Sequence, residues 1–358
     1  MKTKRIRWID IAKGIGIICI VIGHILRGTG TMIQWIYSFN VPFFFILAGL
    51  TFNKEKSLLD VIKTKAYQLL IPYAFFSLIS ISVFAILGGR MSSVSTDGFV
   101  TDEVLPNLLG AIYANSRTGL MKWNTPLWFL PCLFVVEVFA ALIEKNLNHI
   151  CRGGKKKTIL RIVIAFSSAT IGFGLFGRFL LDVVLPFHVE AAIILLLYFE
   201  LGILVRDNMK IGYVIECISK KARYIICILL FVLGFSLVKM NWLADIRLMK
   251  FGNNEILYLL ASIVNSSALI ALSIVIGKFT VLEYIGRNTM KVLVMHKFPV
   301  LFFQALVPIT SKIIIHKSDT VVGCFMAIII AILSTYMCIV AGNITEKMVP
   351  WLYGKRGG

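Results

Sequence analysis

The chain has 358 residues, of which 58% are hydrophobic and only 15% charged, with a mean hydropathy of +0.86. That composition excludes an ordinary soluble globular protein, and no polar block is long enough for a separate soluble domain. The formal charge of +19 comes from 37 Lys and Arg against 18 Asp and Glu; without an RNA or DNA motif or a basic stripe interleaved with aromatics, it points to the anionic cytoplasmic leaflet rather than to nucleic acid.

Apolar runs of ~20 residues, enough to cross ~30 Å of hydrocarbon at ~1.5 Å per residue, predict ten spans. They lie near 8–27, 33–52, 69–88, 126–144, 158–177, 189–205, 224–240, 256–277, 289–307 and 320–342. The expected fold class is an all-α polytopic membrane protein, with residues 1–358 forming a single membrane domain. The basic start MKTKRIRW resembles a secretory leader, but Asp10 and Lys13 interrupt the apolar run and no small-residue cleavage site follows. The first span is therefore expected to be retained. With the N-terminus cytoplasmic, the cytoplasmic segments carry 24 Lys and Arg and the opposite side, Arg27 and Arg178 included, carries ten. This bias predicts ten spans with both termini cytoplasmic.

Between the spans, the polar segment 89–125 holds a short amphipathic helix near 103–114, suited to cover a site opening or to meet an acceptor. Lys155, Lys156 and Lys157 read as a topogenic, lipid-facing cluster or as a hold on a phosphorylated ligand. The seven cysteines show no CxxC and no metal-ligand spacing, so they read as packing residues and no metal is expected. No internal repeat is evident, which argues against a transporter.

The first span carries the chemistry. Lys13 and His24 are eleven positions apart, three turns plus ~20°, so they share one helix face and are separated by roughly 16 Å along the axis. Asp10, three residues before Lys13, joins that face. An ionisable group at mid-bilayer costs at least ~2.5–3.5 kcal/mol and normally faces a bundle interior or a wet cavity. Asp10 and Lys13 lie near the membrane edge, where they can also pair or snorkel. His24 lies deeper, and an imidazole titrates near neutrality, which suits a general base. Gly14, Gly16 and Gly23 allow a helix or ligand to approach closely.

Other polar residues in the spans are second-rank candidates. Glu137 and Glu200 read as structural pairs or site residues. Arg178, His188 and Glu190 gather at the start of the sixth span, as an acceptor contact near His24 or as solvated interface residues. Asn40, just before Pro42, reads as a substrate contact or as a cap for backbone freed by the proline. Trp128 and Tyr73 are interface anchors or pocket walls.

These residues resemble the acyltransferase-3 family of integral membrane acyltransferases, within it the branch similar to fucose 4-O-acetylases. The resemblance rests on Lys13, ten residues and His24, with Asp10 before and Gly14 after. It continues through SFNVPFFFILAGLTF (38–52), LLIPY (69–73), PLWFLPCLFVVE (126–137), LPFHVEAAIILLLYFELGIL (185–204), YIGRNTMKVLVMH (284–296) and PWLYGKR (350–356). It implies a multi-pass protein of the bacterial cytoplasmic membrane, an enzyme that moves an acyl group, usually acetyl, from cytoplasmic acyl-CoA to a hydroxyl of a sugar or cell-envelope glycan. His24 would be the base, Lys13 would position acetyl-CoA near the cytoplasmic mouth, and Asp10 would be its ion partner. His296 matches a family histidine and stands as a substrate contact or a structural hydrogen-bond partner. Where the family often has two arginines three apart, this chain reads Lys65-Ala66-Tyr67-Gln68, so Lys65 alone remains for a phosphate contact with the donor. Membrane lipid, homo-oligomers and glycan-assembly proteins complete the expected partners. The competing reading is a transporter or flippase for a glycan or small solute, with the buried charges lining the pathway.

Overall fold

The computed structural model describes residues 6–26, 28, 30–91, 104–151, 154–208, 217–306 and 320–353. The basic residues 1–5, Arg27, the polar stretch 92–103 and the 354–356 end of PWLYGKR lie outside the described residues. Apolar side chains around the whole helix circumference, with every backbone group satisfied within its own segment, suit a bilayer. Nine helices among the described residues are long and apolar enough to cross one. They are α1 (Arg7–Ile25), α2 (Thr31–Thr51), α3 (Leu58–Ile86), α5 (Thr125–Ile150), α6 (Gly154–Phe179), α7 (Pro186–Asn208), α8 (Lys220–Asn241), α9 (Glu255–Ile276) and α13 (Val321–Met348). The amphipathic segment expected near 103–114 is helix α4 (Val104–Tyr113).

The expected span 289–307 is not one helix. A short helix α10 (Thr280–Arg287) precedes it, and the span itself is divided into α11 (Thr289–Met295) and α12 (Lys297–Leu306), which meet at His296. Pro299 explains the break: it has no N–H for the carbonyl of Met295, and its ring crowds that carbonyl.

Helix starts are fixed by side chains that accept otherwise unpaired N–H groups. Ser57 accepts from Asp60, Ser219 from Ala222, Asn254 from Ile256 and Leu257, and Thr320 from Gly323. α1, α2 and α7 form the buried centre of the bundle, whereas α6 and α8 expose most of their apolar surface as lipid-facing helices do. Two glycine contacts set the tightest approaches. Gly49 of α2 meets the backbone of Phe199 and Gly202 in α7, and Gly14 and Gly286 let α10 lie directly along the first half of α1. Asn265 ties the other side of α2 to the bundle. Its Oδ1 accepts from Trp35 Nε1 at 2.9 Å, and its Nδ2 donates to Ser38 and to the Gly234 carbonyl.

The connection between α8 and α9 folds inward. Ala244, Ile246, Met249 and Phe251 are buried in the main apolar core. A single bridge between Asp245 and Lys250 closes this segment, and Trp242 and Met249 take positive φ values of 68° and 55° to do so.

Candidate functional site

Three adjoining cavities run along the polar face of α1. The first, about 640 Å³, is bounded by Asp10, Lys13, Lys54, Glu55, Arg206 and Asp207 at the end of the bundle where α1 begins. The second, about 230 Å³, shares Lys13 and Thr51 with it and is otherwise lined largely by apolar side chains, with Lys65 and Glu137 in its wall. The third, about 50 Å³, shares Ile20, Phe129 and Leu293 with the second and contains His24. The helical spacing that aligns Asp10, Lys13 and His24 thus places them at the mouth, the neck and the far end of one line of cavities.

At the mouth, Lys54 pairs with Asp207 at 2.5 Å, and Arg206 donates to the Phe52 carbonyl, joining α2 to α7. Lys54 and Asp207 also border a neighbouring cavity of about 750 Å³ that is lined by Lys155, Lys157 and Arg161. Arg161 is buried and bonded to both Glu144 and Glu200, and Lys157 donates to Glu144 at 2.6 Å. Glu200 is therefore held as an ion partner here, away from the His24 cavity.

Lys65 donates to Glu137 at 2.8 Å across α3 and α5, and the second Glu137 oxygen is buried without a partner among the described residues. The pair lies in the wall of the middle cavity. A π-helical turn, Ala66–Leu70, follows Lys65 directly.

His24 is half-buried in the far cavity, beside Tyr37 and Asn40 of α2, Trp128 of α5, and Asp245 and Arg247 of the inward-folded segment. Asn40 combines two roles. Its side chain lines the cavity, and its Oδ1 accepts the Val41 N–H at 2.8 Å next to Pro42. The rings of Trp128 and His188 lie 4.6 Å apart, so Trp128 separates His24 from a second, fully buried cluster. In that cluster His188 Nε2 accepts from Ser116 N–H at 2.9 Å, and Glu190 accepts from Asn115 Nδ2 at 2.7 Å and from Leu185 N–H at 3.2 Å. Phe187 and His188 both hold left-handed backbone, φ 59° and 53°, which the surrounding bonds sustain.

The structure separates residues that the sequence grouped. Arg178 is not with His188 and Glu190: its side chain is 64% exposed and pairs with Glu255 at 3.0 Å. The cation that does approach Glu190 is Arg117, at 3.6 Å. His188 and Glu190 are brought near His24 only through Trp128. His296 lines none of the three cavities and packs against the His24 ring at 5.0 Å between centroids.

Tyr37, Asn115, Arg117, Asp245 and Arg247 were not singled out in the sequence. Tyr37 had a readable signal, three residues before Asn40 on the same helix face. Asp245 and Arg247 lie in an inter-span connection too short to be read as a span, so nothing in the sequence marked it as folding inward.

Residues 6–340 match a family model described as an acyltransferase domain, a range from just before α1 to inside α13. No curated protein and no solved structure matches the chain.

Proposed function

The chain belongs to the acyltransferase-3 family of integral membrane acyltransferases, and from that premise we propose that it is an O-acyltransferase using cytoplasmic acyl-CoA. The observation that carries this reading is the line of cavities from the charged mouth at Asp10 and Lys13 to His24. Its span along α1, roughly 16 Å between Lys13 and His24, suits a long, thin, uncharged arm with anionic phosphates at one end. Lys13, Lys54 and Arg206 at the mouth, set among Asp10, Glu55 and Asp207, together with Lys155 and Lys157 in the adjoining cavity suit the phosphates, and the largely apolar neck suits the arm. The end with Lys54, Lys155 and Lys157 is then the cytoplasmic one, with both termini on that side, as the loop charges predict.

A thioester is already activated, so the protein needs to supply orientation, a base and charge stabilisation at the oxyanion. His24 takes the proton of the acceptor hydroxyl as its oxygen attacks the thioester carbonyl. The carbon–sulfur bond then breaks, and the thiolate recovers the proton from His24. Lys13, with Asp10 as its ion partner, positions the donor at the neck. The small volume at His24 favours a short acyl group, acetyl above all. Around that base, Tyr37 and Trp128 offer aromatic faces and Asn40, Asp245 and Arg247 offer hydrogen bonds, a set that suits a polyhydroxylated ring. The acceptor is therefore a sugar or cell-envelope glycan, as in the fucose 4-O-acetylase-like branch.

Purified protein should transfer label from acetyl-CoA to a member of a glycan panel. His24→Ala should lower that transfer at least ~100-fold, the scale of a lost general base, without changing the melting temperature. Full activity in a folded His24→Ala protein would overturn the assignment. Flux through reconstituted vesicles without any acyl donor would favour a transporter instead. Mass spectrometry of cell glycans with and without the protein identifies the acceptor as the sugar that loses one acetyl mass.

A further inference from the structure

His296 stands at the junction of α11 and α12 with its ring fully buried. Its Nδ1 lies 3.0 Å from the carbonyl oxygens of both Val292 and Leu293. A carbonyl only accepts, so Nδ1 carries the proton and Nε2 is a bare lone pair. That Nε2 is buried and has no hydrogen-bond partner among the described residues. The ring beside it is His24, 5.0 Å away between centroids and tilted by 37°, close enough for the ring edges to touch. A buried acceptor without a donor is costly, and His296 packs against the candidate base while lining none of the three cavities.

We propose that His296 is a positioning residue: a small turn of the His24 ring that packs against it brings an N–H of His24 onto the unpartnered Nε2 of His296, fixing the tautomer that leaves the other His24 nitrogen for the acceptor hydroxyl. This rests on His24 being the base. When His24 holds the acceptor's proton, both of its nitrogens carry hydrogens. One faces the reacting oxygen and then the departing thiolate, and the other needs a fixed acceptor. His296 supplies it and is itself unchanged by the reaction.

The other groups that face His24 do not fill this role. Lys297 of α12 and Arg247 are cations with no lone pair to offer. Asp245, Tyr37 and Asn40 line the cavity itself, on the acceptor side of His24.

The test compares the pH dependence of kcat for full-length wild type, His296→Phe and His296→Gln, with acetyl-CoA and the panel acceptor that wild type uses. His296→Phe should lower kcat by ~10–100-fold, the usual effect of losing a residue that orients a reacting group, with KM for acetyl-CoA within about twofold. Its acid limb should move to lower pH, because an imidazolium that has lost its acceptor gives up its proton more readily. His296→Gln, whose side-chain oxygen can stand in for Nε2, should keep kcat within about fivefold of wild type. A wild-type kcat and acid limb in His296→Phe, or a raised KM with kcat intact, would refute the positioning role. If His296→Phe does not accumulate, the glutamine variant decides: a folded His296→Gln that loses more than ~100-fold in kcat also refutes it. Activity surviving in His24→Ala defeats the base assignment itself, whereas a dead His24→Ala beside an unaltered His296→Phe defeats this inference alone.

Discussion

Arg161 shows what a single side chain contributes. It is buried, bonded to Glu144 on α5 and to Glu200 on α7, and Glu200 has no exposure of its own. Arg161→Met leaves two carboxylates without their guanidinium, and one of them has no water to turn to. The expected loss is about 3–5 kcal/mol, the scale for breaking a buried ion pair from one side, read as a lower melting temperature in detergent. Arg178 is the opposite case, since its bond to Glu255 is made in the open, where water and salt screen it. The sequence supplied the rule that an ion inside a span needs a partner, which is why Glu137 and Glu200 stood out. It could not supply the partner, because Arg161 and Glu200 are 39 residues apart and Lys65 and Glu137 are 72 apart. Arg178 drew attention by lying near His188 in the chain, and chain proximity at a helix end says little about which way a side chain turns.

Among the elements, hydropathy located the nine long helices of the described residues and the amphipathic α4, because the bilayer imposes length and composition directly. The same property hid the division of the span at 289–307. A continuous apolar run reads alike whether the helix is whole or broken, and only Pro299, four residues beyond Met295, marks the break. The segment 242–254 was equally silent, since its buried residues alternate with polar ones in a stretch too short to be counted as a span. Helix contacts have a readable signature in small residues, and Gly49 gives a direct test. A side chain there runs into the Phe199 carbonyl, so Gly49→Leu must part α2 from α7. Overpacking of this kind costs ~1–3 kcal/mol or more. The expected outcome is a loss of monodisperse protein in fluorescence-detected size-exclusion chromatography. Gly174→Ala, with nothing within 4 Å of the added carbon, should behave as wild type.

Across the whole molecule, the polar face of α1 becomes a line of cavities only because α2, α3, α5 and α11 complete its walls. The Asp10, Lys13 and His24 alignment was legible from helical geometry, but the enclosure was not, because it depends on which helices are neighbours. Ile20 stands where the middle and far cavities adjoin, so it tests the enclosure as a path. Ile20→Trp should leave acetyl-CoA bound at the mouth, with an affinity within about threefold of wild type by calorimetry, while transfer falls at least ~10-fold, a pattern expected when reacting groups are kept from meeting. A variant with unaltered transfer would mean that the donor reaches His24 another way.

The inward-folded segment between α8 and α9 also bears on selectivity. Ala244, Ile246, Met249 and Phe251 fasten it into the core, while Asp245 and Arg247 present their side chains beside His24. The four apolar side chains hold the segment in the core, Asp245 both braces it and borders the cavity, and Arg247 faces the cavity. On the proposed reading, a change at Arg247 alters what the cavity beside His24 accepts without touching the polar face of α1, so selectivity and reaction can change separately.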